Sequence, residues 1–140
     1  EPAVAVPEDG KSFRLIGGKQ AIHTHTQTAN SEPLMAITKQ YGLERVWMNA
    51  QRAEELGISD GDTVEVSNEQ HTGKVQVKVT QRINPDALYM PSHYGCSSKE
   101  EKTAYGVGLR QMDYVPFRIE PGYGGICSQE AVVTVKKVGA

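Results

Sequence analysis

The sequence predicts a mainly β domain with two short helices, closed into a small barrel. Three observations lead there. Val64 and Val66 alternate with polar residues, as do Val75, Val77 and Val79, and the turn-rich residues 68–73 lie between the two runs. That is a hairpin with one buried face. A third alternating run, Val133 and Val135 against Thr134 and Lys136, closes the chain as a strand over residues 131–138. Short apolar segments at 13–16, 45–48 and 87–90 have strand length and turn or cap residues beside them. So many strands leave many unpaired edges, and closing the sheet on itself removes them.

In chain order, residues 1–11 hold two prolines, a glycine and no apolar period, and read as a tether from an upstream part of a longer polypeptide. Residues 12–140 form the folded domain. After the strand at 13–16 and the glycine pair Gly17-Gly18, residues 21–24 can continue extended. Ser31-Glu32-Pro33 reads as a helix start with Ser31 near the cap and Pro33 in the first turn. Leu34, Ile37 and Tyr41 give that helix a buried stripe, and Gly42 stops it. Asn49 caps a second helix over 50–56, and Gly57 ends it in the left-handed conformation that a Cβ disfavours. Ile58 follows as an apolar plug. Asp60-Gly61-Asp62 and Asn84-Pro85-Asp86 are turns. Residues 91–129, with six glycines and three prolines, are loop for much of their length. No internal repeat is obvious at solenoid periods.

Length and composition narrow the function. One domain of 140 residues can bury a real core. A net charge of -2, with Lys and Arg spread along the chain, argues against a nucleic-acid partner. The longest apolar runs are a few residues, too short to span a membrane as a helix. Cys96 and Cys127 are far apart and no further Cys or His stands at zinc-ligand spacing, so two ordinary thiols are the expectation.

The stretch from Gly17 to Asn30 stands apart. It holds one lysine, two histidines, three threonines, two glutamines and an asparagine without an apolar period, so it is not core. Glycine-freed amides and the Lys19 cation suit a diphosphate. A nucleoside-triphosphate loop fails, because Gln20 follows Lys19 and Ala5 stands where Gly10-Lys11-Ser12 would need a glycine. His23 and His25 would share one face of a strand, where they could chelate a metal with His93 as third ligand, or instead hydrogen-bond a polar ligand with Thr24, Thr26 and Asn30. A plain loop is the third reading. Further along, His93-Tyr94-Gly95-Cys96 follows a strand, and Cys96 as a nucleophile would need a base such as His93. Lys99-Glu100-Glu101-Lys102 reads as a solvated turn or helix end. In the Tyr105 to Gln111 run the glycines permit close backbone approach, with Arg110 and Gln111 in reach of a ligand.

Three features together resemble a known family. They are the strand leading into Gly18-Lys19-Gln20-Ala21-Ile22-His23-Thr24-His25-Thr26; the run from Val46-Trp47-Met48-Asn49 through Ala53 to Leu56-Gly57-Ile58-Ser59-Asp60-Gly61-Asp62-Thr63-Val64-Glu65-Val66; and Gly95, Gly106-Val107-Gly108 and the Val-rich last strand. Over roughly residues 13–138 the chain resembles the C-terminal dinucleotide-binding domain of molybdopterin oxidoreductases, the dimethyl sulfoxide reductase superfamily. Within it, it is most similar to polysulfide and thiosulfate reductase catalytic subunits.

The resemblance implies a six-stranded double-psi β-barrel that binds a molybdenum (or tungsten) bis(molybdopterin guanine dinucleotide). It implies cofactor contacts from Lys19, Gln20, Ala21, His23, Thr24, His25 and Thr26, from His93, Tyr94 and Gly95, and from Gln129. Arg110 and Gln111 fall where many relatives carry asparagine. The metal-ligating residue and the cysteines of an iron–sulfur cluster would lie upstream, so the domain alone would not be catalytic. Implied partners are the rest of the catalytic subunit, an iron–sulfur electron-transfer subunit and a membrane anchor subunit. Relatives imply a periplasmic or extracytoplasmic location. Two other classes stay open on the residues alone: a stand-alone barrel that binds peptide or protein, and a small metalloenzyme on His23, His25 and His93.

Overall fold

The computed structural model describes residues 4–25 and 27–139. Residues 1–3, part of the expected tether, and Thr26, an expected cofactor contact, lie outside the described residues. Six strands, β1 (Ser12–Gly18), β2 (Val46–Asn49), β3 (Thr63–Ser67), β4 (Thr72–Thr80), β5 (Ala87–Pro91) and β6 (Val132–Lys137), close into a barrel in the order β1-β5-β2-β4-β3-β6. Helices α1 (Glu32–Tyr41) and α2 (Ala50–Glu55) sit between strands, and a short 3-10 turn covers Gln111–Asp113.

β1 pairs in parallel with β5 and β2 with β4, while the other four pairings are antiparallel. Exchanging β1 with β4, β2 with β5 and β3 with β6 reproduces the whole order and every pairing sense. The barrel is therefore a topological twofold built from two three-strand halves, the double-psi arrangement. Sequence periodicity misses this symmetry because what repeats is strand connectivity.

Alternation fills the interior as expected. Phe13, Leu15, Val46, Met48, Val64, Val66, Val75, Val77, Leu88, Met90, Val133 and Val135 form one buried cluster, with Ile58 plugged into it. Asn49 caps α2 by accepting from the Gln51 amide, and Gly42 and Gly57 adopt φ of 59° and 64°. The first described residues have no regular structure, yet Asp9 accepts from the Ser12 amide and hydroxyl at 2.7 Å each, and Arg52 donates to the Gly10 carbonyl at 2.8 Å.

Two local expectations are corrected. Helix α1 turns Met35 and Thr38 inward, whereas Leu34 and Ile37 are half-buried and Tyr41 is 63% exposed. An apolar-stripe reading overlooks Thr38 because its burial depends on hydrogen bonds to side chains distant in sequence. Ser31 stands at the cap position without a side-chain cap bond. Residues 21–24 do not continue extended but bend. Thr28 Oγ1 accepts the Thr24 amide at 2.9 Å, and the Gln27 amide donates to the Thr24 carbonyl at 2.9 Å, folding the segment on itself.

Candidate functional site

Because β1 and β5 run parallel with Gly18 opposite Pro91, the segments that follow them leave the same rim of the barrel. The Ser92 amide donates to the Gly18 carbonyl at 2.9 Å, and the Tyr89 hydroxyl does so at 3.0 Å. Topology thus gathers the polar loop after β1 and the irregular region after β5, although about 70 residues separate them in sequence. Between them opens a cavity of about 730 Å³, with walls formed by residues 92–96 and 109–112 and further lining from Gln27, Ala29, Asn30, Glu101 and Ala104.

The expected residues divide into three groups. His93, Tyr94, Gly95, Arg110 and Gln111 line the cavity. Lys19, Ala21, Thr24 and His25 are exposed on the adjoining loop without lining it, and Lys19 Nζ lies 3.3 Å from His25 Nδ1. Gln20, His23 and Gln129 are tied into the scaffold. The Gln20 side chain donates to the Leu43 carbonyl at 2.9 Å. His23, only 4% exposed, places Nε2 2.8 Å from Thr38 Oγ1 and Nδ1 3.3 Å from Thr28 Oγ1. Thr38 in turn lies 3.2 Å from the Tyr94 hydroxyl, so His23 links the loop, α1 and the cavity wall. The Gln129 amide brackets Gly17, accepting from its N–H at 2.9 Å and donating to its carbonyl at 3.3 Å. Gln111 donates to the Ser128 carbonyl at 2.8 Å, which lays its side-chain amide against Gly17.

The shared strand face expected of His23 and His25 does not form, because the loop bends and His25 takes a left-handed φ of 45°. His23 is buried and His25 exposed, and no three His, Cys, Asp or Glu side chains among the described residues are placed to hold a metal. Cys96, a free thiol, lines the cavity with Sγ 3.8 Å from the Ser98 carbonyl.

Sequence reasoning passed over Gln27, Ser92, Glu101 and Met112 as lining residues. Ser92 could have been found from its place between β5 and His93. Met112 carried no signal. Asn30 does more than line the cavity: its Oδ1 accepts from the Thr103 and Ala104 amides at 2.9 and 3.3 Å, pinning the second loop to the first.

Burial, then the charges of His23, His25 and Lys19, hold the His93 imidazole below its ordinary 6.5. A cation is disfavoured there, and a bound anion would relieve the repulsion. Arg110 is held charged by Asp113, with contacts of 2.8 Å from Nε and 2.6 Å from a terminal nitrogen. The folded state binds the His93 proton more weakly than the unfolded chain does. Its contribution is therefore complete above pH 6.5 and is lost progressively below it, as pH falls through the lower folded-state value. His93→Asn keeps a residue that tolerates the backbone φ of 87°. It is expected to flatten the fall in melting temperature between about pH 7.5 and 5, near the histidine range; an unchanged slope would assign the acid sensitivity elsewhere.

With this geometry in place, the comparisons with known proteins are direct. A family model described as the molydopterin dinucleotide binding domain matches residues 13–113. The thiosulfate reductase molybdopterin-containing subunit PhsA of Salmonella typhimurium is 27% identical over 112 residues, covering 80% of this chain and 14% of that protein. Acetylene hydratase from Pelobacter acetylenicus shares the fold with a TM-score of 0.72 at 12% identity, over 90% of this chain and 18% of that one. This chain therefore spans less than a fifth of either relative.

Proposed function

The chain belongs to the molydopterin dinucleotide binding domain family, and from that premise we propose that it forms one wall of the cofactor site in a molybdenum-dependent oxidoreductase. One observation carries the reading: every residue lining the 730 Å³ cavity, from Gln27 to Met112, falls inside the family-matched segment 13–113. The donor set suits the group. Lys19 on the rim offers positive charge for a diphosphate with His25 beside it, and Ser92, Asn30, Gln27 and Gln111 offer hydroxyl and amide groups for the edges of a pterin or guanine.

When bound, the molybdenum-pterin group supplies the redox chemistry, and the protein supplies binding, orientation and electrostatics. In this chain Lys19, His25 and Arg110 would fix the anionic part. Gln111 and the backbone at Gly95 would set the depth to which the group enters. The His23–Thr38–Tyr94 network would hold the wall rigid, with Tyr94 also lining the cavity. None of these residues is asked to exchange a proton with substrate, in keeping with a domain that is not active alone.

By its likeness to PhsA, the whole enzyme is proposed to reduce thiosulfate, polysulfide or a similar oxidised sulfur or metalloid compound. It would carry a bis(molybdopterin guanine dinucleotide) centre with molybdenum or tungsten, and an iron–sulfur cluster upstream. It would work with an iron–sulfur subunit and a membrane anchor on the extracytoplasmic side. The test is chemical. Full-length protein purified anaerobically and treated with acid should release guanine nucleotide, and Lys19→Ala combined with His25→Ala should lower molybdenum occupancy. Absence of guanine nucleotide from active protein would overturn the assignment.

A further inference from the structure

The cofactor reading leaves unused a row of side chains on the outside of the barrel. Ile16 of β1, Tyr89 of β5, Trp47 of β2 and Lys78 of β4 are register partners in turn across four neighbouring strands. Leu15, Leu88, Met48 and Val77, beside them in sequence, fill the core, which puts this row on the outer face. All four members are half-buried. Lys78 Nζ stands 5.0 Å over the Trp47 ring, and the Trp47 and Tyr89 rings are 5.0 Å apart at a tilt of 54°. Trp47 Nε1 is buried with no hydrogen-bond partner among the described residues, so the indole contributes through its faces.

At Tyr89 the row meets the chain as it leaves β1. The Tyr89 hydroxyl donates to the Gly18 carbonyl at 3.0 Å and stands 3.5 Å from the Lys19 carbonyl. A Cβ on Gly18 would come within 3.0 Å of the ring, so the phenol lies close against the strand end. Burial raises the phenol's ionisation above its ordinary value, which keeps the proton that these bonds need. Gly18 is the last residue of β1, and Lys19 is the first beyond it. Gln129 holds Gly17 on one side, and the Gln20 side chain reaches the Leu43 carbonyl on the other. Tyr89 acts between those ties, on the Gly18–Lys19 peptide itself. It is not among the described residues that line the cavity, so its effect on a ligand there passes through the loop.

We propose that Tyr89 is a positioning residue for the cofactor. Its hydroxyl, with the ring buttressed by Trp47 and Lys78, fixes the Gly18–Lys19 peptide and so the direction from which the Lys19 ammonium meets the anionic part of the ligand. The inference rests on the reading of the cavity as the molybdopterin dinucleotide site. A lysine is a point charge on a flexible stem, and it is placed only as well as the backbone that carries it. A shift of about 1 Å at such an anchor degrades a preorganised site.

The experiment uses full-length protein with Tyr89→Phe, which keeps the ring and its stack and removes only the hydroxyl. Protein is held warm below its melting temperature, and the guanine nucleotide still bound is measured over time after desalting and acid treatment. Cofactor loss is expected to be roughly fivefold faster in Tyr89→Phe, the scale of one hydrogen bond. Lys19→Ala should also speed it, and the double variant should stay within about twofold of Lys19→Ala alone, because both changes remove one contact. Salt should speed loss from the unsubstituted protein and affect Tyr89→Phe less, since a misplaced charge leaves less attraction to screen. A merely structural bond would leave that salt dependence alone. The melting temperature should move by less than about 3 °C. An unchanged rate in Tyr89→Phe, multiplied rates in the double variant, an unchanged salt dependence or a larger melting shift would each overturn the positioning role and leave the cofactor assignment standing. Unsubstituted protein without guanine nucleotide would instead overturn the cofactor assignment, and the positioning role with it.

Discussion

Tyr114→Ala is expected to destabilise the domain by about 3–5 kcal/mol, the range for deleting a large aromatic from a packed interior. Tyr114 is the largest fully buried side chain described. It enters the barrel core just after the 3-10 turn, and its ring stands edge-on to His71 at 5.0 Å. Its hydroxyl donates to the Val66 carbonyl at 3.2 Å, and its own carbonyl accepts from the Asn68 side chain at 2.7 Å. Gly73 makes room for it, since a Cβ at that position would stand 2.8 Å from the hydroxyl and 2.5 Å from Leu109. Truncation to alanine leaves a cavity that the closed barrel cannot collapse around, because strands on both sides are held by their ladders. Burial also drives the phenol's ionisation far above the ordinary tyrosine value, so no alkaline transition from this residue is expected in the working range. Thermal melting should show a drop of roughly 10 °C or more. Tyr114→Phe keeps the ring and should cost only about 1 kcal/mol. If the two variants melted alike, the hydroxyl rather than the ring would be the anchor.

Tyr114 also shows why the sequence is legible in some places and opaque in others. Alternating valines report a half-buried strand because the pattern is local, and Gly42, Asn49 and Gly57 announce helix ends because capping and left-handed φ are local demands. β3, β4 and β6 were readable as alternation, and β1, β2 and β5 as short apolar segments beside turn or cap residues. Tyr114 stands in a glycine- and proline-rich stretch with no period, and its burial is decided by Gly73, some forty residues earlier, leaving a gap. Thr38 was missed for the same reason: a threonine in an amphipathic helix goes inside only when His23 and Tyr94 wait there to bond it.

At the site, local composition singled out both the polar loop and the stretches after β5, and the resemblance tied them to one ligand. Neither could say that His23 faces inward and His25 outward, since that depends on the Thr28 hydroxyl capturing the Thr24 amide and bending the loop. The result divides labour within one short motif. Lys19 and His25 lie on the exposed side of the loop, whereas His23 and Gln20 secure the segment that carries them. His23→Ala should therefore behave as a scaffold lesion.

The largest effect on cofactor retention is expected at Gly95. Its φ is 82°, a region that costs a residue with a Cβ roughly 1 kcal/mol or more. A Cβ there would also overlap the backbone nitrogen and side chain of Arg110. Backbone cannot swing aside as a flexible side chain does, so Gly95→Ala must part residues 93–96 from residues 107–110. That separation would break the Gly95 amide bond to the Val107 carbonyl, now 2.8 Å, and move His93, Arg110 and Gln111 relative to one another. These are opposite walls of one cavity, and a shift of about 1 Å is enough to degrade a preorganised site. The barrel core lies elsewhere and should survive. The expected outcome is a folded full-length protein whose molybdenum and guanine nucleotide content falls at least tenfold. Gly106→Ala supplies the control, because its φ of 70° carries the same backbone cost while its Cβ would meet nothing within 4 Å. Equal cofactor loss in both variants would trace the effect to loop conformation in general. Loss confined to Gly95→Ala would trace it to the close approach of the two walls, where the cavity's shape is set.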